Sequence, residues 1–256
     1  MHKEDFFKGI NQVEVKSGTY VNKYPIFYRE VSYIVVFLLA PLSKLRNILP
    51  SKRMHPFRLT PWHSMFTITA NEYKDSDVGP YNQVSIGIPF VFDKQTPVLT
   101  GILRKTPEVP LIYTLHLPVT TEHSRISGIE MANYPEFLAD IHFIKEKNWI
   151  KCKADSEGKN ILSLSCREIP VKPFPRQRVF TVTQKNDRLL RSEFNFSDTM
   201  AGVSKKQSDV SLEFGDHPIG QKIKDIYSGK ILQYQYYPSG QAILSSPAES
   251  YSILKE

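Results

Sequence analysis

The chain has 256 residues, of which 41% are hydrophobic and 12% aromatic, and its formal net charge is +7. This apolar content supplies a sizeable buried core and argues against a disordered protein. The positive charge would suit an anionic small ligand or nucleic acid, but the lysines and arginines are dispersed singly among apolar residues, which is typical of a solvated surface.

The N-terminal part of the chain shows no targeting or membrane-spanning segment. The stretch MHKEDFFKG is charged and lacks the apolar core of a signal peptide. The longest apolar run, residues 33–42, is too short to cross a bilayer and therefore predicts a buried strand. We expect a soluble, cytoplasmic protein with no membrane partner.

The first helix is predicted over residues 41–49, where Pro41 suits the first helical position and leucines recur on one face. The basic segment 44–58 overlaps this helix and contains no acidic residue. Its only stacking aromatic is Phe57, whereas single-strand binders interleave several aromatics with their basic residues. We read the segment as a solvated face and expect no nucleic acid partner.

Period-2 alternation of apolar and polar residues dominates the rest of the chain. It predicts strands over residues 64–73, 84–92, 111–119, 141–154, 160–169, 178–184, 188–197, 208–215 and 230–244. Further helices are predicted over 121–133, after two threonines that can cap it, and over 216–228, from Asp216 to the stop at Gly229. Many strands with short connections favour an antiparallel barrel or sandwich, so the fold class is mainly β, in a single domain spanning 1–256.

Generic catalytic signatures are missing from the sequence. There is no phosphate-binding glycine loop, no G-x-S-x-G elbow and no H-E-x-x-H pair, and the seven histidines show no metal-ligand spacing. We therefore expect neither a metal nor an organic cofactor.

A succession of motifs resembles the acetoacetate decarboxylase family. The step from Arg29 to Glu30, the turn Gly79–Tyr81 and the segment GIEMANYP at 128–135 follow one another in the order and spacing of that family. The resemblance covers roughly residues 27–252 and leaves 1–20 as an N-terminal extension. It implies a cone-like antiparallel β-barrel around a small carbonyl pocket, often in a homo-oligomer.

The resemblance also implies a lysine that forms an imine with a β-keto acid. In the family this lysine and its neighbour directly follow the tyrosine–proline step, where the present chain has Glu136 and Phe137. A carboxylate has no nitrogen to condense with a ketone, and a family glutamate is matched here by Gln83, which transfers no proton. We therefore expect no acetoacetate decarboxylation at a rate typical of the family. Lys105 and Lys145 are the only nearby lysines that could substitute.

The candidate site consists of five residues. We expect Arg29, Gln83 and Glu136 to converge on one cavity with Tyr81 and Glu130 nearby. Arg29 would bind the carboxylate of a small oxo-carboxylate ligand through charge-assisted hydrogen bonds, or else form an ion pair with Glu30 or Glu130.

Glu136 would carry protons if it is buried, because burial raises the pKa of a carboxyl group. Alternatively, it is solvated just past a helix end, or it pairs with Arg29 or Arg125.

Three functions follow from these alternatives. The first is a lyase-type or hydratase-type enzyme of the superfamily that uses acid/base chemistry with Glu136 as the proton carrier. The second is a non-catalytic protein that binds a small ligand. The third is a genuine decarboxylase with a relocated lysine, Lys105 or Lys145. A buried Glu136 with a shifted pKa favours the first function, and an exposed one favours the second.

Overall fold

The computed structural model of the chain describes residues 6–93, 111–247 and 249–252. The strands in this part are β1 (Val13–Ser17), β2 (Tyr20–Tyr24), β3 (Ile26–Pro41), β4 (Met54–Pro56), β5 (His63–Ser76), β6 (Tyr81–Phe92), β7 (Leu111–Val119), β8 (Glu136–Leu138), β9 (Asp140–Glu146), β10 (Trp149–Ser156), β11 (Lys159–Arg167), β12 (Lys172–Phe174), β13 (Gln177–Lys185), β14 (Arg188–Phe196), β15 (Thr199–Ser204), β16 (Val210–Phe214), β17 (Ile231–Leu244) and β18 (Glu249–Ser252). The helices are α1 (Leu42–Ile48), α2 (Glu122–Ala132) and α3 (Pro218–Ile226).

The largest sheet closes on itself. Its central strands follow the order β17, β3, β5, β6, β7, β13 and β14, and β14 then pairs again with β17, for example through Phe194 and Leu244. Neighbours are antiparallel except that β7 runs parallel to both β13 and β8. The predicted mainly β fold with a curved sheet is confirmed, and the sheet is mixed rather than purely antiparallel.

Alternation along the strands decides which side chains enter the barrel, because successive residues point to opposite faces. In β3, Tyr33 and Val35 line an internal cavity, whereas Ile34 and Val36 face outward. The outward set packs against a second sheet, ordered β16, β11, β10 and β9, and against α3. The barrel strands are therefore covered on both faces, as the long apolar run of β3 indicates.

The three helices of the described residues lie inside their predicted ranges. Helix α2 begins after Thr121, whose side chain accepts a hydrogen bond from the Ser124 N–H, and it ends at Asn133 in the left-handed conformation with φ 49°. Helix α3 begins after His217 rather than at Asp216, because the His217 ring accepts a hydrogen bond from the Ile219 N–H. No helix in the described residues is long and apolar enough to cross a membrane.

Two features of the fold differ from the sequence prediction. The run 141–154 forms two antiparallel strands, β9 and β10, because Lys147 adopts a left-handed conformation with φ 54° and reverses the chain. Residues 13–24 form a separate hairpin of β1 and β2, which the sequence did not indicate because alternating lysines, glutamate and exposed valines give it no apolar face.

Candidate functional site

The barrel encloses a cavity of about 300 Å³. Side chains from every strand of the closed ring line it, and α2 lies along one side with Ser124, Ser127, Gly128 and Met131. Among the lining residues that the structure describes there is one carboxylate, Glu136, and no lysine, arginine or histidine. The other polar lining residues include Tyr28, Thr67, Thr69, Asn71, Tyr73, Tyr81, Gln83, Ser85, Thr114, Tyr134, Gln177, Thr181, Gln235 and Tyr237.

Glu136 is placed in the cavity wall by the end of α2 and the strand that follows. The chain leaves the helix at Asn133, passes Pro135 and enters β8 at Glu136, which pairs in parallel with Leu117 of β7. The prediction of a helix end before Pro135 is confirmed. Glu136 starts a short strand instead of lying in a solvated loop.

The carboxyl group of Glu136 rests on the backbone of α2 at Gly128. A Cβ atom added at Gly128 would lie 2.5 Å from Cδ of Glu136, a separation that real Cβ atoms do not reach. Only glycine therefore leaves room for the carboxyl group at this place on the helix. Oε2 of Glu136 is shielded from solvent and accepts no hydrogen bond from the residues that the structure describes.

This environment favours the protonated form of Glu136. Burial raises the pKa of Glu136 well above its ordinary value, and the charge of Arg125 opposes this only in part. Arg125 is itself held by Glu122, with Nε 2.8 Å from Oε2. Glu136 is therefore buried and not solvated. It also forms no ion pair within 4.0 Å with Arg29 or Arg125, whose described partners are Asp75, Asp77 and Glu122.

A group of buried tyrosines surrounds Glu136. Burial raises the pKa values of Tyr28, Tyr73, Tyr81 and Tyr134, the last to about 12, and the charge of Glu136 adds to each shift. These hydroxyl groups therefore stay protonated and can donate hydrogen bonds. The oxygens of Tyr28 and Tyr81 lie 3.3 Å apart, and those of Tyr134 and Thr181 lie 2.6 Å apart.

Gln83 is held by two neighbours on β5. The pairing of β5 with β6 sets Asn71 opposite Gln83 and Tyr73 opposite Tyr81. Oε1 of Gln83 accepts hydrogen bonds from the Tyr73 hydroxyl at 3.1 Å and from Nδ2 of Asn71 at 3.4 Å. This arrangement leaves the amide nitrogen of Gln83, which has no partner in the described residues, as a donor at the cavity.

Three of the five predicted site residues, Tyr81, Gln83 and Glu136, line the same cavity. Arg29 does not line it, because its Nη2 lies 2.5 Å from Oδ1 of the buried Asp77 and its Nη1 lies 3.7 Å from Asp75. The expected convergence of Arg29 with Glu136 is thus corrected: the ion pair it forms is with these aspartates.

The remaining predicted groups lie elsewhere. Glu130 is exposed on α2 and does not line the cavity. Lys145 on β9 pairs with Glu168 at 2.9 Å and is not part of the lining either. Lys105 lies outside the described residues. Within the described part of the chain, no group of three or more His, Cys, Asp and Glu side chains could hold a metal ion.

Sequence reasoning did not find Gly128 as the seat of the carboxyl group, nor the supporting pair Asn71 and Tyr73. The sequence pattern does place both residues on one face, since alternate residues of β5 point into the cavity and Asn71 and Tyr73 are two of them. Using it requires the register between β5 and β6, which one sequence does not supply.

Comparisons with known proteins agree with this architecture. The family model described as acetoacetate decarboxylase matches residues 13–219. The chain is similar in structure to acetoacetate decarboxylase from Legionella pneumophila subsp. pneumophila str. Philadelphia 1, with a TM-score of 0.66 and 15% identity over 89% of this chain and 88% of that one.

Two further solved structures share the fold. The enduracididine biosynthesis enzyme MppR, complexed with pyruvate, has a TM-score of 0.57 and 12% identity over 90% of each chain. An acetoacetate decarboxylase-like enzyme from Sphingomonas wittichii RW1 has a TM-score of 0.55 and 14% identity over 87% of this chain and 91% of that one. No curated protein matches the chain by sequence. At these identities the structural likeness establishes the fold alone.

Proposed function

The chain belongs to the acetoacetate decarboxylase family, and we propose that it is a lyase-type or hydratase-type enzyme of that superfamily which acts on a small carbonyl compound by acid/base chemistry. The observation that carries the proposal is the buried carboxyl group of Glu136, whose pKa burial raises, in a cavity whose described lining contains no amine. A carboxylic acid kept neutral by an apolar site donates a hydrogen bond to a carbonyl oxygen, as is known for a ketosteroid isomerase.

Glu136 is the proton donor in this proposal. As water adds to the carbonyl carbon, the carbon–oxygen π bond breaks, its electron pair goes to the oxygen, and Glu136 transfers its proton there. The attacking water loses one proton to solvent, and the Glu136 carboxylate regains a proton from solvent. In enolisation the same transfer to oxygen accompanies loss of an α-proton to water. Neither hydration nor enolisation requires any reactant other than the carbonyl compound and water.

The imine route has less support in the described residues. The position after Tyr134–Pro135 holds Glu136, and Lys145 is ion-paired outside the cavity lining. A small oxo compound as ligand is consistent with the pyruvate complex of MppR. The predicted carboxylate on this ligand has no cation in the described lining to bind it. The homo-oligomer and the cytoplasmic location are further proposals.

A non-catalytic ligand-binding protein is the second candidate. It is favoured by the fact that Glu136 is the only group with a carboxyl among the described lining residues, so that no second acid or base accompanies it. The two functions differ in one observable, which is proton or oxygen exchange at the carbonyl group of a bound ligand.

The test is exchange with labelled solvent. Pyruvate and acetone are incubated with the protein in deuterium oxide, and in water labelled with heavy oxygen, and the products are followed by NMR and mass spectrometry. We expect exchange above the solvent rate, and a loss of about 10²–10⁴-fold in Glu136→Gln, because that side chain keeps its shape but has no acidic proton. Glu213→Gln is the matched control, since Glu213 is exposed on β16.

The pH dependence provides a second readout. Burial raises the pKa of Glu136, and exchange should fall as the pH rises through this raised pKa, because the proton donor is then lost. Exchange that is absent with both ligands while a thermal shift reports binding would favour the non-catalytic function. A borohydride-trapped lysine adduct would favour the decarboxylase.

A further inference from the structure

Several polar groups that line the cavity can donate hydrogen bonds to a ligand. Gln83 lines the cavity, and its side-chain oxygen accepts hydrogen bonds from Asn71 and Tyr73. Its amide nitrogen is therefore the group that can bind a ligand. Tyr28 and Tyr81 share one hydrogen bond, so one hydroxyl hydrogen of the pair remains for a ligand. A cluster of uncharged donors is complementary to an acceptor such as a carbonyl oxygen.

An aromatic wall leads away from these donors. Tyr28 stacks on Phe194 with ring centroids 5.5 Å apart, and Phe194 stacks on Phe196 at 4.9 Å. Tyr33 continues the wall at 5.3 Å from Phe196 and stacks on Tyr237 at 4.1 Å. We call these five residues the aromatic wall. It offers an apolar or aromatic ligand body a continuous surface that begins beside the donors.

The aromatic wall and the donors belong to the same cavity, since Tyr28 is a member of the wall and also pairs with Tyr81. The cavity therefore combines hydrogen-bond donors with a continuous surface of rings. A ligand that matches it has one acceptor group and an apolar body.

The part of the lining that the structure describes offers no cation to a ligand carboxylate. Arg29 and Arg125 are not among these lining residues, and they are held by Asp77 and Glu122. Moving a carboxylate from water into such a site without a cation is unfavourable, because its charge loses the stabilisation by water and gains no partner. A neutral ligand avoids this loss.

We propose that the cavity is built for an uncharged ketone or aldehyde, whose carbonyl oxygen accepts a hydrogen bond from the Gln83 amide and whose apolar body lies along the aromatic wall. Asn71 and Tyr73 are positioning residues, because their side chains hold Oε1 of Gln83 and so fix the orientation of its amide group. This inference rests on the proposed function, since it names the substrate class of the same site.

The experiment compares acetophenone with phenylglyoxylate, which differ only in that a carboxylate replaces the methyl group. Binding to the full chain is measured by calorimetry at neutral pH. We expect acetophenone to bind at least about a hundredfold more tightly than phenylglyoxylate, since only the latter brings an unpaired charge into the cavity.

Three variants locate the carbonyl oxygen. Gln83→Leu should weaken acetophenone binding by about tenfold, and Tyr73→Phe by about fivefold, because the first removes the donor and the second releases it. Tyr234→Phe is the matched control, since the Tyr234 hydroxyl donates to the Arg167 carbonyl at 3.0 Å outside the cavity lining. It also loses a buried tyrosine hydrogen bond but should leave acetophenone affinity within about twofold of the wild type.

The outcomes separate this inference from the proposed function. Phenylglyoxylate binding as tightly as acetophenone, an unchanged affinity in Gln83→Leu, or binding of neither compound at millimolar concentration overturns the inference. If phenylglyoxylate is preferred and its keto oxygen exchanges in a Glu136-dependent way, the function stands and the inference fails. If acetophenone is preferred but exchanges neither its methyl protons nor its carbonyl oxygen, the inference stands and the function fails.

Discussion

Replacement of Glu136 by glutamine should remove a pH dependence from the stability of the protein. The folded state raises the pKa of Glu136 because the carboxyl group is buried against Gly128 with an unpartnered Oε2. In the unfolded chain the pKa returns to about 4.3. Between these two pKa values the folded state binds one more proton than the unfolded state. The contribution of Glu136 to the free energy of unfolding is therefore fully present below the unfolded pKa and is lost as the pH rises through the folded pKa.

The size of the effect follows from one proton. A full difference of one bound proton changes the free energy of unfolding by about 1.36 kcal/mol per pH unit. Between about pH 5 and about pH 6 the unfolded Glu136 is mostly ionised, whereas its raised pKa in the folded state favours the protonated form. The wild type should therefore lose up to about 1.3 kcal/mol over this interval that Glu136→Gln keeps. Other carboxyl groups contribute equally to both proteins and cancel in the comparison.

Urea unfolding at these two pH values measures the difference directly, with the m value as a check that the extent of unfolding is unchanged. Glu213→Gln, an exposed glutamate on β16, should run parallel to the wild type. If Glu136→Gln also runs parallel to the wild type, Glu136 is not protonated preferentially in the folded state, and the reasoning about its role as a proton donor is refuted.

Gly128→Ala should displace the Glu136 carboxyl group and reduce exchange activity at least about tenfold, which solvent exchange measures. The protein should stay folded, because the gain of about 1 kcal/mol in helix propensity offsets part of the overpacking. Circular dichroism checks that the variant is folded. Asp77→Ala should lower the free energy of unfolding by about 1–3 kcal/mol, because a buried acceptor of several hydrogen bonds is lost. Arg29→Ala should lower it by only about 0–1 kcal/mol and leave ligand affinity unchanged. Urea unfolding that ranks the two variants in the opposite order would contradict the pairing of Arg29 with Asp77. Gly220→Ala should destabilise the protein by about 1–3 kcal/mol despite its helical position, since the new methyl group would overlap the backbone of β11, and a thermal melt no lower than that of the wild type would contradict this packing.

The strands and helices could be predicted where local pattern and tertiary environment agree. The alternation over residues 64–73 survives in β5 because one parity faces the cavity and the other the outer core. The turn at Lys147 was not predictable in this way, since a lysine gives no sign that it will adopt a left-handed conformation.

The sequence predicts several residues of the site better than it predicts their contacts. The position of Glu136 after Tyr134–Pro135 can be read directly from the order of residues in the chain. Its protonation depends on burial, which arises only when α2 closes over the barrel and Gly128 leaves room for the carboxyl group. The pairing of Arg29 with Asp77 joins residues 48 positions apart in the chain, and nothing in either local segment indicates which acid captures the guanidinium group.

The pairing of β3 with β17 has a consequence for biosynthesis. Residues 26–41 lie at the start of the ring, and their partner on one side, residues 231–244, is made about two hundred positions later. While a ribosome produces the chain, β3 can pair with β5 early, but its other edge stays open until β17 has been made. Because this edge belongs to one of the most apolar segments of the protein, the nascent chain is exposed to aggregation and to chaperone capture during that interval. Closure of the ring, and with it the formation of the cavity, is therefore a late event that follows the emergence of β17.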